Sequence, residues 1–137
     1  MSPRKNKIRI LLVVLPLIIG GMGYYIYFPN VYFVKGVDSI VPISFHLPYE
    51  VHGIWKVLRN YGFDFLWAVA FSAGISFFYN EWKTLIRKGF ALVLVLEFGM
   101  ELIQLFPNIT GTFDICDIIV EFVANVLVIL LLKERRR

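Results

Sequence analysis

Four long runs of apolar residues dominate this chain, and they constrain its fold more than any other feature. They cover residues 8–28, 63–79, 90–106 and 115–132. A helix needs about 17–25 residues to cross a hydrocarbon layer roughly 30 Å thick, so each run is long enough, or nearly long enough, to span a bilayer. With 58% hydrophobic and 18% charged residues, the chain is also too apolar for a soluble domain of its size. We therefore predict an all-α integral membrane bundle of four transmembrane helices, in one domain over residues 1–137.

The distribution of basic residues predicts the orientation of these helices. Short cytoplasmic segments of membrane proteins carry an excess of Lys and Arg. With four spans, eleven of the 14 basic residues lie on one side and three on the other. The larger group is Arg4, Lys5, Lys7, Arg9, Lys83, Arg87, Lys88, Lys133, Arg135, Arg136 and Arg137, and the smaller is Lys35, Lys56 and Arg59. Both termini are therefore expected in the cytoplasm, and topology and anionic membrane lipids explain the net charge of +4 without a nucleic acid partner.

Acidic and amide side chains interrupt this apolar pattern. Glu97, Glu101 and Gln104 lie in the third run, Asp114, Asp117 and Glu121 lie at the start of the fourth, and Asp64 lies at the start of the second. A charged side chain near the bilayer centre costs roughly 2.5–3.5 kcal/mol on insertion scales, so such residues usually pair, stay protonated or bind something. These seven residues are our candidates for a ligand-binding site, with Glu101 and Asp117 in the leading positions.

Helical periodicity places the polar residues of each run on one face. At 100° per residue, one stripe contains Glu97, Glu101 and Gln104, and another contains Asp114, Asp117, Glu121 and Asn125. The short connection 107–113 contains Pro107 and Gly111, which favours an antiparallel pair of helices. We therefore expect the two polar stripes to face each other, with Asp114 placed to cap the last helix.

Three interpretations of this acidic site remain open. The carboxyl groups can be protonated and hydrogen-bonded without any ligand. With Gln104, they can hold a hard divalent cation such as Mg²⁺ or Ca²⁺, which prefers oxygen ligands. They can also receive a cationic group, either Lys56 or Arg59 of the chain itself or an amine on a lipid or a glycopeptide. A zinc site is not expected, because His46 and His52 have no Cys or third His to accompany them.

The segment between the first two runs, residues 29–62, is the other region with recognition potential. Its part 51–61 mixes Ile54, Trp55 and Leu58 with Lys56 and Arg59. Such a mixture is typical of a short helix that lies on the membrane surface. We expect an interfacial helix here, which either anchors this outer loop or covers the acidic site.

Several of these residues fall in segments that resemble the VanZ-like membrane proteins. The resemblance covers roughly residues 60–130 and rests on three segments: Asp64-Phe65-Leu66-Trp67, Glu101-Leu102-Ile103-Gln104, and Gly111-Thr112-Phe113-Asp114 followed by Asp117. The family is linked to resistance to the glycopeptide teicoplanin. Many members have Arg at the position of Thr112 and Asn at the position of Glu121, so the site of this chain is more acidic than theirs.

Together, the acidic site and the resemblance imply a multi-pass protein of the bacterial inner membrane. We expect it to bind a cell-envelope component, through a lipid-linked or polar headgroup, at an outward-facing acidic site, and to contribute to glycopeptide resistance. The sequence identifies no catalytic residue, since no nucleophile accompanies the carboxylates, and it leaves the cofactor unknown, a divalent cation such as Mg²⁺ or Ca²⁺ being one possibility. One alternative is a membrane enzyme whose paired carboxylates act on a lipid headgroup as general acid and base. Another is an accessory subunit that stabilises a larger membrane complex or a homo-oligomer.

Overall fold

The computed structural model describes residues 3–30, 32–41, 45–47, 52–106 and 113–134, and within these ranges it is all-helical, as predicted. The helices are α1 (Pro3–Tyr27), α2 (Tyr32–Ile40), α3 (Ile54–Ile75), α4 (Trp82–Thr84), α5 (Ala91–Ile103) and α6 (Ile115–Glu134). A 3₁₀ turn, Ser76–Phe78, extends α3, and a π-helical stretch, Leu85–Phe90, joins α4 to α5. The turn 107–112 and the basic end 135–137 lie outside the described residues.

Three helical segments in the described part of the chain are long and apolar enough to cross a membrane. They are Asn6–Tyr27, Ile54–Phe78 and Ile115–Lys133, and they correspond to the first, second and fourth apolar runs. Large apolar side chains on their outer surfaces, such as Ile18, Trp67 and Val123, are exposed. An exposed apolar surface of this kind suits a multi-pass membrane protein, because lipid covers it.

The third apolar run differs most from its predicted form. The run was expected to form one helix over 90–106, but α5 ends at Ile103 and has only 13 residues. Residues after it form a turn, in which the Phe106 amide donates to the Ile103 carbonyl at 3.1 Å. Before α5 the chain is π-helical around Gly89, where a Cβ would lie only 2.9 Å from Leu85 Cδ1. The absence of a side chain at Gly89 thus permits close packing at this irregular stretch.

The second run begins earlier than the apolar pattern predicts. α3 starts at Ile54 rather than at residue 63, directly after Gly53, whose positive φ of 61° suits glycine. The predicted surface segment 51–61 is therefore wrong as a separate helix, since its described residues from Ile54 onward are the first turns of α3. A different short helix, the amphipathic α2, lies in the same connection.

α3 is the central helix of the packing. It contacts α1 along one side and α6 along another, and α5 packs against α6. Small side chains allow this close approach: Ala68 and Ala73 of α3 are buried together with Ala124 of α6. This arrangement places the polar residues of α3, α5 and α6 next to one another.

Candidate functional site

Asn125 of α6 connects three helices in the interior. Its Nδ2 group donates to Glu97 Oε2 of α5 at 2.5 Å, and its Oδ1 accepts a hydrogen bond from the Ser72 hydroxyl of α3. Asn125 is only 2% exposed and Ser72 is completely buried. The polar stripes of the third and fourth apolar runs therefore face each other, as their periodicity predicted.

Glu101 joins the end of α5 to the beginning of α6. The residue is 6% exposed, and both of its carboxyl oxygens have partners within the protein. Oε1 accepts from Gln104 Nε2 at 2.9 Å, and Oε2 accepts from the backbone amide of Asp114 at 3.4 Å. Through these bonds, Glu101 holds the end of α5 next to the beginning of α6.

Asp114 caps α6, as the sequence predicted. Its Oδ1 accepts from the Cys116 backbone amide at 2.8 Å, and its Oδ2 accepts from the Tyr61 hydroxyl of α3 at 3.2 Å. These donors, the Cys116 amide above all, hold the pKa of Asp114 below its ordinary value. A fixed negative charge therefore stands at the N-terminus of α6, where the helix dipole favours it.

A cavity of about 350 Å³ opens between α5 and α6, and we call it the α5–α6 pocket. It is lined by Leu94, Glu97, Phe98, Ile118, Ile119, Glu121 and Phe122. Two buried carboxyl oxygens of this lining, Glu97 Oε1 and Glu121 Oε2, have no hydrogen-bond partner among the described residues. Buried polar atoms are usually satisfied, so this pair of acceptors in an apolar wall calls for a donor.

Asp64 and Asp117 complete the acidic group. Both are half-buried, and their carboxyl groups interact electrostatically with each other and with Glu101. Glu121 interacts in the same way with Glu97, Glu101, Asp64 and Asp117. The structure therefore brings together all seven candidates from the sequence, which we call the acidic cluster: Asp64, Glu97, Glu101, Gln104, Asp114, Asp117 and Glu121.

The geometry bears differently on the three interpretations of this cluster. Within the described ranges, no group of three or more His, Cys, Asp or Glu residues is placed to hold a metal ion. Arg59, one of the cations considered as an internal partner, lines a different cavity between α1 and α3. The unpartnered oxygens of Glu97 and Glu121 require a donor, which either a proton on one of these carboxyl groups or a donor-bearing or cationic group of a ligand would supply.

A second polar network, formed by Tyr25, Asp38 and His46, was not predicted. The Tyr25 hydroxyl donates to Asp38 Oδ1 at 2.7 Å, and His46 Nε2 lies 2.9 Å from Asp38 Oδ2. His46 Nδ1 lies 3.0 Å from the Tyr25 carbonyl, so the imidazole makes both bonds only when both ring nitrogens carry a proton. The Tyr25 hydroxyl is the main cause that holds the pKa of Asp38 below its ordinary value, with His46 adding to it.

The polar residues that the sequence did not reveal all have hydrogen-bond partners in other segments of the chain. Ser72 and Tyr61 belong to a helix whose polar face was not assigned, and Tyr25, Asp38 and His46 are isolated polar residues in three different segments. Periodicity within one helix cannot reveal partners that come from another segment. Of these residues, Asp38 alone could have been found from the sequence, because a carboxylate in a largely apolar segment needs a hydrogen-bond donor.

Comparison with protein-family models, with curated proteins and with solved structures finds no match to this chain. Its function is therefore inferred from the residues and the geometry of the acidic cluster.

Proposed function

We propose that this protein is a VanZ-like multi-pass protein of the bacterial inner membrane that binds a cell-envelope component at the acidic cluster. The ligand is recognised through a lipid-linked or polar headgroup, and binding contributes to resistance against teicoplanin. The observation that carries the proposal is the pair of buried, unpartnered carboxyl oxygens of Glu97 and Glu121 at the α5–α6 pocket.

The chemistry of the pocket indicates what kind of group it receives. An unsatisfied buried acceptor costs about 1–3 kcal/mol, and a ligand with N–H or O–H donors removes that cost. An amine suits the site best, because a charge-assisted hydrogen bond to a carboxylate is stronger than a neutral one. The apolar lining around the carboxyl groups, including Leu94, Phe98 and Phe122, fits the hydrocarbon part of the same ligand.

In our proposal, the ligand enters from the outward face of the membrane. This orientation requires that the third apolar run also crosses the membrane, as a fourth crossing. The helical stretch from Trp82 to Ile103 is continuous through its π-helical part, and its first residues include the basic Lys83, Arg87 and Lys88. Its apolar part, from Gly89 to Ile103, is about 22 Å long, and the turn up to Phe106 extends it towards the thickness of the hydrocarbon layer. With this crossing both termini are cytoplasmic, whereas three crossings would place the basic C-terminal end opposite the basic N-terminal end.

Glycopeptide susceptibility tests this function. A bacterial host expressing the wild type should tolerate more teicoplanin than the empty host, with a smaller difference for vancomycin. The double variant Glu97→Gln/Glu121→Gln should lose this protection at equal abundance in the membrane, because neutral amides cannot replace two carboxylates. Glu101→Gln and Asp117→Asn test the two residues that the sequence placed first.

The matched control is Glu81→Gln, since Glu81 is exposed and its carboxylate accepts a local bond from the Thr84 hydroxyl, three residues further along the chain. This variant should protect as well as the wild type. Protection that survives the double substitution would assign the carboxylates to structural pairing alone. A wild type that gives no protection would contradict the role in resistance.

A further inference from the structure

A second cavity, of about 380 Å³, lies between α1 and α3, and we call it the α1–α3 groove. It is lined by Ile19, Gly23, Tyr27, Trp55, Leu58, Arg59, Gly62, Phe63, Phe65 and Leu66. None of these residues belongs to the acidic cluster. The groove extends along the C-terminal part of α1 and the N-terminal part of α3, so it lies near one surface of the membrane.

The lining has the composition of a lipid site. Its walls are apolar and aromatic, and Arg59 is the charged residue among them. From Ile19 to Tyr27 the groove follows about 12 Å of α1, which is enough to take part of an acyl chain. Trp55 and Tyr27 are residues that favour the interface between hydrocarbon and water, and they lie at the same end of the groove as Arg59.

We propose that the α1–α3 groove holds an acyl chain of an anionic phospholipid whose phosphate group pairs with Arg59. Arg59 Nε and Nη2 donate to the exposed Asn60 Oδ1 at 3.2 Å, and a phosphate group would replace this neutral acceptor, because charge-assisted hydrogen bonds to a guanidinium are stronger. Lys56 is exposed and lies one helical turn before Arg59, so a second positive charge stands on the same side of α3. Two positive charges favour a lipid with net negative charge over a zwitterionic lipid that has the same phosphate and the same chains.

The glycines of α3 provide a way to block the groove without disturbing the fold. Gly62 lines the groove, and a Cβ at this position would meet no other atom of the described residues within 4 Å. A larger side chain at position 62 therefore extends into the space that the acyl chain occupies. Gly74 of the same helix is equally open but does not line the groove, so it offers a matched control.

The test measures thermal stability of the full chain in detergent during titration with phosphatidylglycerol, phosphatidylcholine or inorganic phosphate. Phosphatidylglycerol should raise the melting temperature at concentrations about fivefold lower than phosphatidylcholine, and inorganic phosphate alone should have no effect. Gly62→Leu should abolish the response to both lipids, Arg59→Gln should remove only the preference for phosphatidylglycerol, and Gly74→Leu should respond like the wild type.

An unchanged lipid response in Gly62→Leu would overturn the proposal, and so would equal responses to the two lipids in the wild type. A response to inorganic phosphate equal to that with lipid would assign the site to free phosphate and overturn the acyl-chain assignment. If Arg59→Gln does not fold, Lys56→Gln replaces it, and it should weaken the preference for the anionic lipid. Each of these results leaves the function proposed for the acidic cluster untouched.

Discussion

At the scale of single residues, Asn125 shows how one carboxamide organises the interior. It donates to Glu97 and accepts from Ser72, so one side chain connects α3, α5 and α6. The sequence placed Asn125 on the polar face of its helix, because its spacing from Glu121 follows the helical repeat. It could not identify Ser72 as the partner, since a serine in an apolar run serves close packing equally well.

Asn125→Ala should therefore lower the free energy of unfolding. Hydrogen bonds between membrane helices are worth about 0.6 kcal/mol on average, and unsatisfied buried groups add to the cost, so we expect a loss of about 1–3 kcal/mol. Unfolding by SDS in mixed micelles measures it. The control, Ser72→Ala, keeps the bond between Asn125 and Glu97 and should lose less. Equal losses in the two variants, or no loss in Asn125→Ala, would contradict the network.

Asp38 is the residue through which pH should act on the connection between α1 and α3. Its folded-state pKa lies below the unfolded-state value of about 3.9. The network with Tyr25 and His46 therefore contributes stability above that pH, and the contribution disappears as the pH falls through the folded-state pKa. Hydrogen exchange at α2 and at the Leu47 amide, which donates to the Ile26 carbonyl, should accelerate over this range after correction for intrinsic rates.

The variant Asp38→Asn should show faster exchange at neutral pH, because a neutral amide oxygen accepts a weaker hydrogen bond from Tyr25 than a carboxylate does, and an amide forms no ion pair with His46. Its matched control is Ser39→Ala on the same helix, because the Ser39 hydroxyl donates locally to the Gly36 carbonyl. Exchange in the control should stay close to the wild type. A variant Asp38→Asn with wild-type exchange would show that the network does not hold this connection.

At the scale of elements, the helices that coincide with long apolar runs were predictable, and the irregular helical segments were not. α6 begins at Ile115 as predicted, because its apolar pattern starts directly after the Asp114 cap. α3 begins earlier than predicted, since Lys56 and Arg59 resembled the polar face of a separate surface helix. The π-helical stretch around Gly89 depends on packing against Tyr79, which hydrophobicity alone does not encode.

The contact between α1 and α3 depends on Gly23. A Cβ at this position would lie 2.2 Å from Phe63 Cε1, and the Phe63 ring is itself held by the rings of Tyr24 and Phe28. Gly23→Ala should therefore separate the two helices and lower the free energy of unfolding by about 1–3 kcal/mol, despite the better helix propensity of Ala. SDS unfolding measures this loss.

Gly21→Ala is the control for this substitution, because in the described part of the chain no atom would lie within 4 Å of a Cβ at Gly21. It should leave stability unchanged or raise it slightly. The double variant Gly23→Ala/Phe63→Leu should recover part of the loss, since the smaller side chain makes room for the new methyl group. Equal stability of Gly23→Ala and Gly21→Ala would contradict the close contact.

At the scale of the whole molecule, the sequence predicted which residues form the acidic cluster but not how they divide their roles. Periodicity and the short connection placed the two polar stripes opposite each other. Glu101 was a leading candidate for binding, yet both of its oxygens are engaged within the protein. The unpartnered oxygens belong to Glu97 and Glu121, and this depends on side-chain conformations that no spacing rule provides.

The native cysteine tests the number of membrane crossings directly. Cys116 is exposed at the start of α6 and is the one cysteine of the chain. With four crossings and a cytoplasmic N-terminus it faces outward, so a membrane-impermeant maleimide should label it in intact cells. With three crossings it would face the cytoplasm and react only after lysis. In a Cys116→Ser background, Ser39→Cys should be labelled in intact cells and Lys83→Cys only after lysis, whichever number is correct.

The most direct test of the proposed function is mass spectrometry of the envelope components that co-purify with the protein in mild detergent. We predict that the wild type and Glu81→Gln retain a component that carries an amine or several hydroxyl donors. The variant Glu97→Gln/Glu121→Gln should lose that component while it keeps the other bound lipids. An identical set of components in all three proteins would contradict ligand binding at the acidic cluster.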